Sequence, residues 1–166
     1  MYAKILVPVD DSPTSDAGLN EAIRLGKLCG SQLRLVHIVE KLPYFAETAV
    51  YEVDPKALVT DIAAEAELLL ARLAGRVRAE GLGVDTRLVA SGGHQVDAYV
   101  NEQAKAWPAD LVVLGTHGRR GVERIVGGSV AEQVVRHADM PVLLVRQPYV
   151  DEGGRGDLQS IAAAIA

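Results

Sequence analysis

Residues 110–129 read DLVVLGTHGRRGVERIVGGS, an apolar run that ends in glycine and leads into a loop rich in glycine and arginine. The run from Leu111 to Leu114 shows no polar alternation, which is typical of a strand buried on both faces of a parallel sheet. Gly127-Gly128 lets the chain fold back, and Ser129 stands where a helix would begin. The stretch therefore predicts a buried strand, a loop and a helix in that order.

The same alternation of short apolar runs and longer amphipathic stretches continues on both sides. The predicted strands are 5–9, 32–39, 84–90, 110–115 and 141–146. The predicted helices are 14–29, 55–80, 95–106 and 129–138, and residues 40–54 are predicted to be irregular. In the first helix the apolar side is predicted to comprise Ala17, Ala22, Leu25 and Leu28. Gly30 follows at the position of a helix C-terminal glycine.

Strands that alternate with helices imply right-handed βαβ units, and hence an α/β fold with a five-stranded parallel sheet and helices on both faces. We predict the strand order 3-2-1-4-5, because the third run carries polar residues and suits an edge. One domain is expected over 1–146, followed by a flexible C-terminal tail over 147–166. Ligands of open α/β sheets bind where the strand order reverses, so residues 8–12 and Gly115 onward are expected to face one site.

Composition and charge exclude several classes of protein. The 166 residues carry a net charge of −5, which excludes the basic footprint of a nucleic-acid-binding protein. The apolar runs are all shorter than the roughly 20 residues of a membrane span, and the N-terminus does not read as a signal peptide. We therefore expect a cytoplasmic protein that contacts no membrane. The single cysteine, Cys29, excludes a disulfide framework.

The loop after the fourth strand has the composition of a polyphosphate site. Gly115 would let the backbone approach a ligand closely. The unpaired N–H groups at the helix start near Ser129, together with the helix dipole, attract an anion. Positive charge in an otherwise acidic chain comes from Arg119, Arg120 and Arg124. The alternative is a glycine-rich turn with solvated arginines, but the whole set at the expected crevice favours nucleotide or phosphate binding.

On these residues the chain resembles the universal stress protein family. The ATP-binding branch of that family carries the motif G-x2-G-x9-G-[ST], which residues 115–129 match without a gap. The opening ILVPVDDS, the LVHIVE strand and the closing GGSVAEQVVRHADMPVLLVR are also similar to the family. The resemblance covers residues 3–146 and implies a flavodoxin-like, ATP-binding domain, usually dimeric, that acts in stress adaptation.

The resemblance also implies which residues meet the nucleotide. The motif residues that hold ribose and phosphates in the family correspond to Gly115, Gly118, Gly128 and Ser129. Asp10 matches the family's acidic residue after the first strand, and Ile38 matches the position whose backbone meets the adenine. The full candidate set is Pro8, Val9, Asp10, Ile38, Leu114, Gly115, His117, Gly118, Arg119, Arg120, Gly128, Ser129 and Val130. The implied cofactor is ATP with Mg²⁺, which Asp10 would meet only through the nucleotide.

Several of these residues keep an alternative interpretation. Asp10 would contact ribose hydroxyls, base donors or a metal ion, or else cap the first helix, for which Asp11 and Ser12 serve equally well. His117 would contact phosphate or solvent, and His37 would lie in the core or beside the base. The family often has glycine at the position of Asp11, so this chain carries an extra negative charge near the site.

Other catalytic motifs are absent from the sequence, which has no G-x-x-x-x-G-K-[ST] loop, no G-x-G-x-x-G after the first strand and no G-x-S-x-G elbow. A dedicated group to place and deprotonate water is also missing. We therefore favour an ATP-binding regulator or sensor whose protein partner the sequence does not identify. The alternatives are a slow ATPase or phosphotransferase, and a dimeric scaffold or chaperone-like protein with a structural nucleotide.

The fifth strand predicts a homodimer. In the predicted order it lies at a sheet edge, yet residues 142–146 read VLLVR. A long apolar edge is an aggregation hazard unless it is paired. Pairing with a second copy across a two-fold axis would cover it, and the alternative is that the 147–166 tail covers it.

Overall fold

The structure is a computed structural model that describes residues 1–40, 55–92, 95–116 and 130–146. Its elements are β1 Lys4–Pro8, α1 Pro13–Cys29, β2 Gln32–Glu40, α2 Pro55–Ala79, β3 Val84–Ser91, α3 Val96–Ala106, β4 Leu111–Thr116, α4 Val130–His137 and β5 Val142–Arg146. Each predicted element recurs with its ends shifted by one residue at most. The predicted irregular segment beyond residue 40, the glycine-rich loop and the tail lie outside the described residues. No described helix is both long and apolar enough to span a membrane.

The five strands form one parallel sheet in the order β3-β2-β1-β4-β5, which confirms the predicted fold class. The central strand, β1, pairs with β2 along its whole length, from Lys4↔Gln32 to Pro8↔Val36. The strand order reverses at β1, because the chain first builds outward through β2 and β3 and then returns to add β4 and β5. The predicted crevice therefore lies at the carboxyl end of β1.

The core has two halves, one on each face of the sheet. Ile5 and Val7 of β1 belong to the half formed with α1 and α2. Leu6 belongs to the half formed with α3 and α4. All three side chains are fully buried, so the middle of β1, from Ile5 to Val7, is apolar at consecutive positions instead of alternating. The outer strands are more open: β3 exposes Thr86 and Arg87 in its middle, as expected of an edge.

Local signals set both ends of α1. The Ser12 hydroxyl accepts a hydrogen bond from Ser15 N at 3.1 Å, and Pro13 occupies the first turn, where its missing N–H costs nothing. At the other end Gly30 adopts the left-handed conformation with φ 68°, as predicted. Leu28 corrects the predicted apolar side, because it is 79% exposed. It lies about 120° around the helix from the buried Ala22.

Helix α1 packs on β4 without room for side chains between the two backbones. A Cβ atom added to Gly18 would lie 2.6 Å from the Gly115 nitrogen, and a Cβ atom added to Gly115 would lie 1.8 Å from the Thr14 carbonyl oxygen. Both distances are far below van der Waals contact, so each position requires glycine. The contact fixes the start of α1 against the carboxyl end of β4.

Gly18→Ala and Gly75→Ala make the same chemical change in two helices and test this contact. Gly75 in α2 faces open space, so alanine there should raise the free energy of unfolding by about 0.5–1 kcal/mol through helix propensity. Gly18→Ala should lower it by about 1–3 kcal/mol, because the added methyl group meets the β4 backbone. Urea unfolding of both variants measures the difference. Equal stabilisation by the two alanines would contradict the close α1–β4 packing.

Candidate functional site

The crevice opens between β1 and β4 because their hydrogen-bond ladder stops early. The two strands pair at Ile5↔Leu111 and Leu6↔Val112, and the pairing ends there although β4 continues to Thr116. In a parallel ladder the next rung would need an N–H group on residue 8 to donate toward β4. Residue 8 is proline, which has no N–H. Pro8 therefore ends the pairing with β4 at the level where the sequence predicts a ligand.

The pairing of β1 with β2 ends one residue later. Val9 N still donates to Val36 O at 2.8 Å. In the next rung Ile38 N would donate to Val9 O, but the described part of the chain forms no such bond. The Val9 carbonyl instead lies 2.7 Å from Nδ1 of His37. Because alternate residues of a strand turn their peptide groups to opposite neighbours, the N–H and C=O of Ile38 face the crevice, where the described residues supply no strand partner.

Asp10 begins a tightly bonded loop between β1 and α1. Its Oδ1 atom accepts a hydrogen bond from Ser12 N at 2.8 Å, and its own N–H donates to the Ser15 hydroxyl at 2.9 Å. Ser12, not Asp10, caps α1. Asp10 remains exposed, and Oδ2 accepts no hydrogen bond from a described residue. The loop thus holds one carboxylate oxygen in place and leaves the other toward solvent at the crevice.

Asp11 is paired across the loop with a cation from α2. Its Oδ1 atom lies 2.6 Å from Arg72, and both side chains are more than half exposed. The negative charge of Asp11 is therefore countered by the positive charge of Arg72. An open cleft of about 840 Å³ lies between this loop, the end of β2 and α2. Its lining includes Asp11, His37, Ile38, Leu69 and Arg72.

The described candidate residues differ in what they can offer a ligand. Val9 and Leu114 are each 5% exposed, with side chains in the two core halves, so a ligand could reach only their backbone. The sequence predicts that the backbone at Gly115 approaches a ligand closely. The structure shows a second reason for glycine at this position, because α1 packs directly against it. Val130 is the first residue of α4 and is 47% exposed. The remaining candidates, His117, Gly118, Arg119, Arg120, Gly128 and Ser129, lie outside the described residues.

Two contacts at the crevice were not predictable from the sequence pattern. His37 is half-buried with its ring bonded to Val9, beside the open edge of Ile38 and not in the core. Arg72 reaches Asp11 from 61 positions away. A histidine near the end of a strand gives a weak signal that it caps a neighbouring strand. The Arg72 pairing has no local signal, since it depends on how α2 crosses the sheet.

The described side chains do not form a metal centre of their own. No group of three or more His, Cys, Asp or Glu side chains suited to a metal ion occurs within the described ranges. Asp10 supplies one carboxylate with an open oxygen. Mg²⁺ usually keeps several waters and binds through one or two carboxylates together with substrate phosphates. The residues present therefore fit an ion that arrives with a nucleotide, and they do not fit a resident metal site.

The fold and the crevice define a doubly wound α/β protein of the flavodoxin-like type, with a ligand site where the strand order reverses. The model of the universal stress protein family matches residues 1–146. The chain belongs to the universal stress protein family.

Individual relatives agree in sequence and in fold. A universal stress protein of Methanocaldococcus jannaschii is 30% identical over 148 residues, which cover 89% of this chain and 84% of that protein. A solved structure of a family member from Burkholderia pseudomallei has 30% identity and a TM-score of 0.69, covering 87% of this chain and 96% of that one. The universal stress protein from Archaeoglobus fulgidus, solved in complex with dAMP, shares the fold at 23% identity and a TM-score of 0.60, covering 87% and 98% of the two chains.

Proposed function

We propose that this protein binds ATP with Mg²⁺ at the crevice and acts as a nucleotide-dependent regulator or sensor in stress adaptation. The observation that carries the proposal is the open peptide edge of Ile38. That edge offers one donor, N–H, and one acceptor, C=O. Adenine presents a complementary edge, with a ring nitrogen that accepts beside a 6-amino group that donates. The dAMP complex of the Archaeoglobus fulgidus relative supports the same ligand class.

The remaining parts of a nucleotide have suitable surroundings near that edge. The open Oδ2 atom of Asp10 can accept from a ribose hydroxyl, or meet Mg²⁺ bound to phosphate. A bare carboxylate repels phosphate, so the phosphates belong farther from β1. The start of α4 at Val130 presents helix N–H groups, and the sequence puts Gly128, Ser129 and the loop arginines just before it. Mg²⁺ when bound would neutralise part of the phosphate charge.

Nucleotide titration by calorimetry tests the ligand. ATP should bind at least about tenfold more tightly than GTP, because guanine presents an acceptor, O6, where adenine presents its 6-amino donor. Gly128→Val should weaken ATP binding by about tenfold or more, since its side chain would occupy the phosphate approach. Gly154→Val, beyond the residues that the family model matches, is the control and should leave the affinity unchanged. Equal binding by wild type and Gly128→Val would contradict the assignment of the phosphate site.

We propose that hydrolysis is slow, because the sequence offers no dedicated group to place and deprotonate water. Backbone N–H groups and arginines stabilise bound phosphate and the transition state alike, and such uniform binding does not raise turnover. Of the two acidic residues at the crevice, Asp11 pairs with Arg72, and the open oxygen of Asp10 is assigned to ribose or Mg²⁺.

Steady-state phosphate release with ATP and Mg²⁺ should therefore be well below about 1 per second. A matched measurement on Asp10→Asn, which keeps an oxygen for Ser12 N, separates binding from catalysis. The proposal expects a change in affinity or Mg²⁺ dependence. Turnover of about 1 per second or faster that is lost in Asp10→Asn would favour the alternative of an ATPase, with Asp10 in a catalytic role.

We further propose a homodimer through β5. One edge of this strand pairs with β4, and Leu144 is 41% exposed. The neighbouring Val142, Leu143 and Val145 are half-buried, so the edge that faces away from β4, which no described strand covers, is apolar along most of its length. A second copy related by a two-fold axis would cover it with an additional ladder.

Light scattering at micromolar concentration tests the dimer. The wild type should show twice the chain mass of 17.7 kDa. Leu144→Glu should give the monomer mass, because it places a charge in the paired edge. Leu68→Glu changes a leucine that is 70% exposed on α2 and should remain dimeric. A monomeric wild type would favour the alternative in which the edge is covered from within the chain.

A further inference from the structure

We infer that His37 is a positioning residue that keeps the nucleotide-binding edge of Ile38 open. The inference rests on the proposed function for the identity of the ligand, but the geometry of the strand ends carries it. His37 occupies the Val9 carbonyl, which is the acceptor that Ile38 N would otherwise use to extend the β1–β2 ladder. A carbonyl oxygen can accept two hydrogen bonds, so the ring acts by orientation: it holds the Val9 carbonyl turned away from Ile38 N, at the place where the base would bind.

The missing rung is the natural continuation of the pairing already formed. Pro8 pairs with Val36, and Val9 N donates to Val36 O at 2.8 Å. The two strands are therefore still at ladder spacing when Val9 is reached, and one further bond, from Ile38 N to Val9 O, would add a rung. The separation of 2.7 Å between His37 Nδ1 and Val9 O lies at the short end for N–H···O bonds. The Val9 carbonyl is directed to this ring nitrogen and not to the backbone N–H of Ile38.

The chemistry of the contact fixes the proton on one ring nitrogen. A carbonyl oxygen can only accept, so Nδ1 of His37 must carry the hydrogen. In the neutral ring Nε2 is then an acceptor, and in the charged ring both nitrogens donate. The bond to Val9 survives in both states.

A positioning role for His37 and a simple packing role predict different results when the side chain is replaced. Loss of the His37 donor leaves the Val9 carbonyl without its partner, and a buried acceptor without a partner is costly. The available replacement is Ile38 N, one rung along. A variant without the donor should therefore fold, extend the ladder and close the edge to a ligand. A residue that merely fills space would affect stability and leave the Ile38 amide unchanged.

Two variants of His37 and one matched control test this prediction. His37→Leu removes the donor, and His37→Asn retains an amide donor near the position of Nδ1. His137→Leu makes the same change as the first variant at the exposed end of α4. Residue-resolved amide exchange is measured without nucleotide, and ATP affinity is measured by calorimetry.

In the wild type the Ile38 amide should exchange at least about tenfold faster than the Val36 amide, because it lacks a backbone acceptor. In His37→Leu it should slow by about tenfold or more, and ATP binding should weaken by about tenfold, the effect of one lost hydrogen bond. His37→Asn and His137→Leu should keep fast exchange at Ile38 and an affinity within about threefold of wild type.

Amide exchange at Ile38 tests the role of His37, whereas nucleotide affinity tests the proposed function. A protected Ile38 amide in the unliganded wild type would overturn the inference, even if His37→Leu failed to fold. Unchanged exchange and affinity in a folded His37→Leu variant would overturn it as well. A wild type that binds no adenine nucleotide would contradict the proposed function, whereas slowed Ile38 exchange in His37→Leu would still establish that His37 keeps the edge open.

Discussion

The central strand loses its two neighbours at successive residues, Pro8 and Val9, and the crevice follows from that loss. On the side of β4 the cause is covalent, because Pro8 has no N–H to donate. On the side of β2 the cause is a side chain, because His37 takes the Val9 carbonyl. Backbone groups that would have been paired inside the sheet are therefore available at its carboxyl end. This is also the end of an open α/β sheet at which ligands bind, where the strand order reverses.

A crevice of this kind persists only if the surrounding backbone cannot collapse into it. Helix α1 provides the support, since its glycine face lies directly against β4 at Gly115. The Ser12 cap and the hydrogen bonds of Asp10 hold the loop that leads into α1. Closing the gap on the side of β4 would require breaking these bonds or moving α1 off the sheet. The cap of α1 and its close packing on β4 thus support the carboxyl end of the sheet, where a ligand would bind.

Charge at the crevice is arranged by side chains from distant parts of the sequence. Asp11 adds a negative charge to an already acidic protein, and Arg72 from α2 pairs with it. Both groups are largely exposed, so solvent and salt screen the pair and its contribution to stability is small. The pair joins Asp11 to α2. The open oxygen of Asp10 is then the carboxylate that a bound nucleotide would meet.

The sequence alone determined the secondary structure, the strand order and the family. These depend on local patterns: apolar runs for the buried strands, Ser12-Pro13 and Gly30 at the ends of α1, and the glycine spacing after Gly115. The tertiary structure alone decided which side of α1 is buried, leaving Leu28 exposed, and which backbone crowds Gly115. It also decided that His37 meets Val9, because strand register sets that pairing across 28 positions of chain. Local patterns encode the preferences of a segment, whereas contacts between segments depend on register and packing angle, which form only when the whole sheet is assembled.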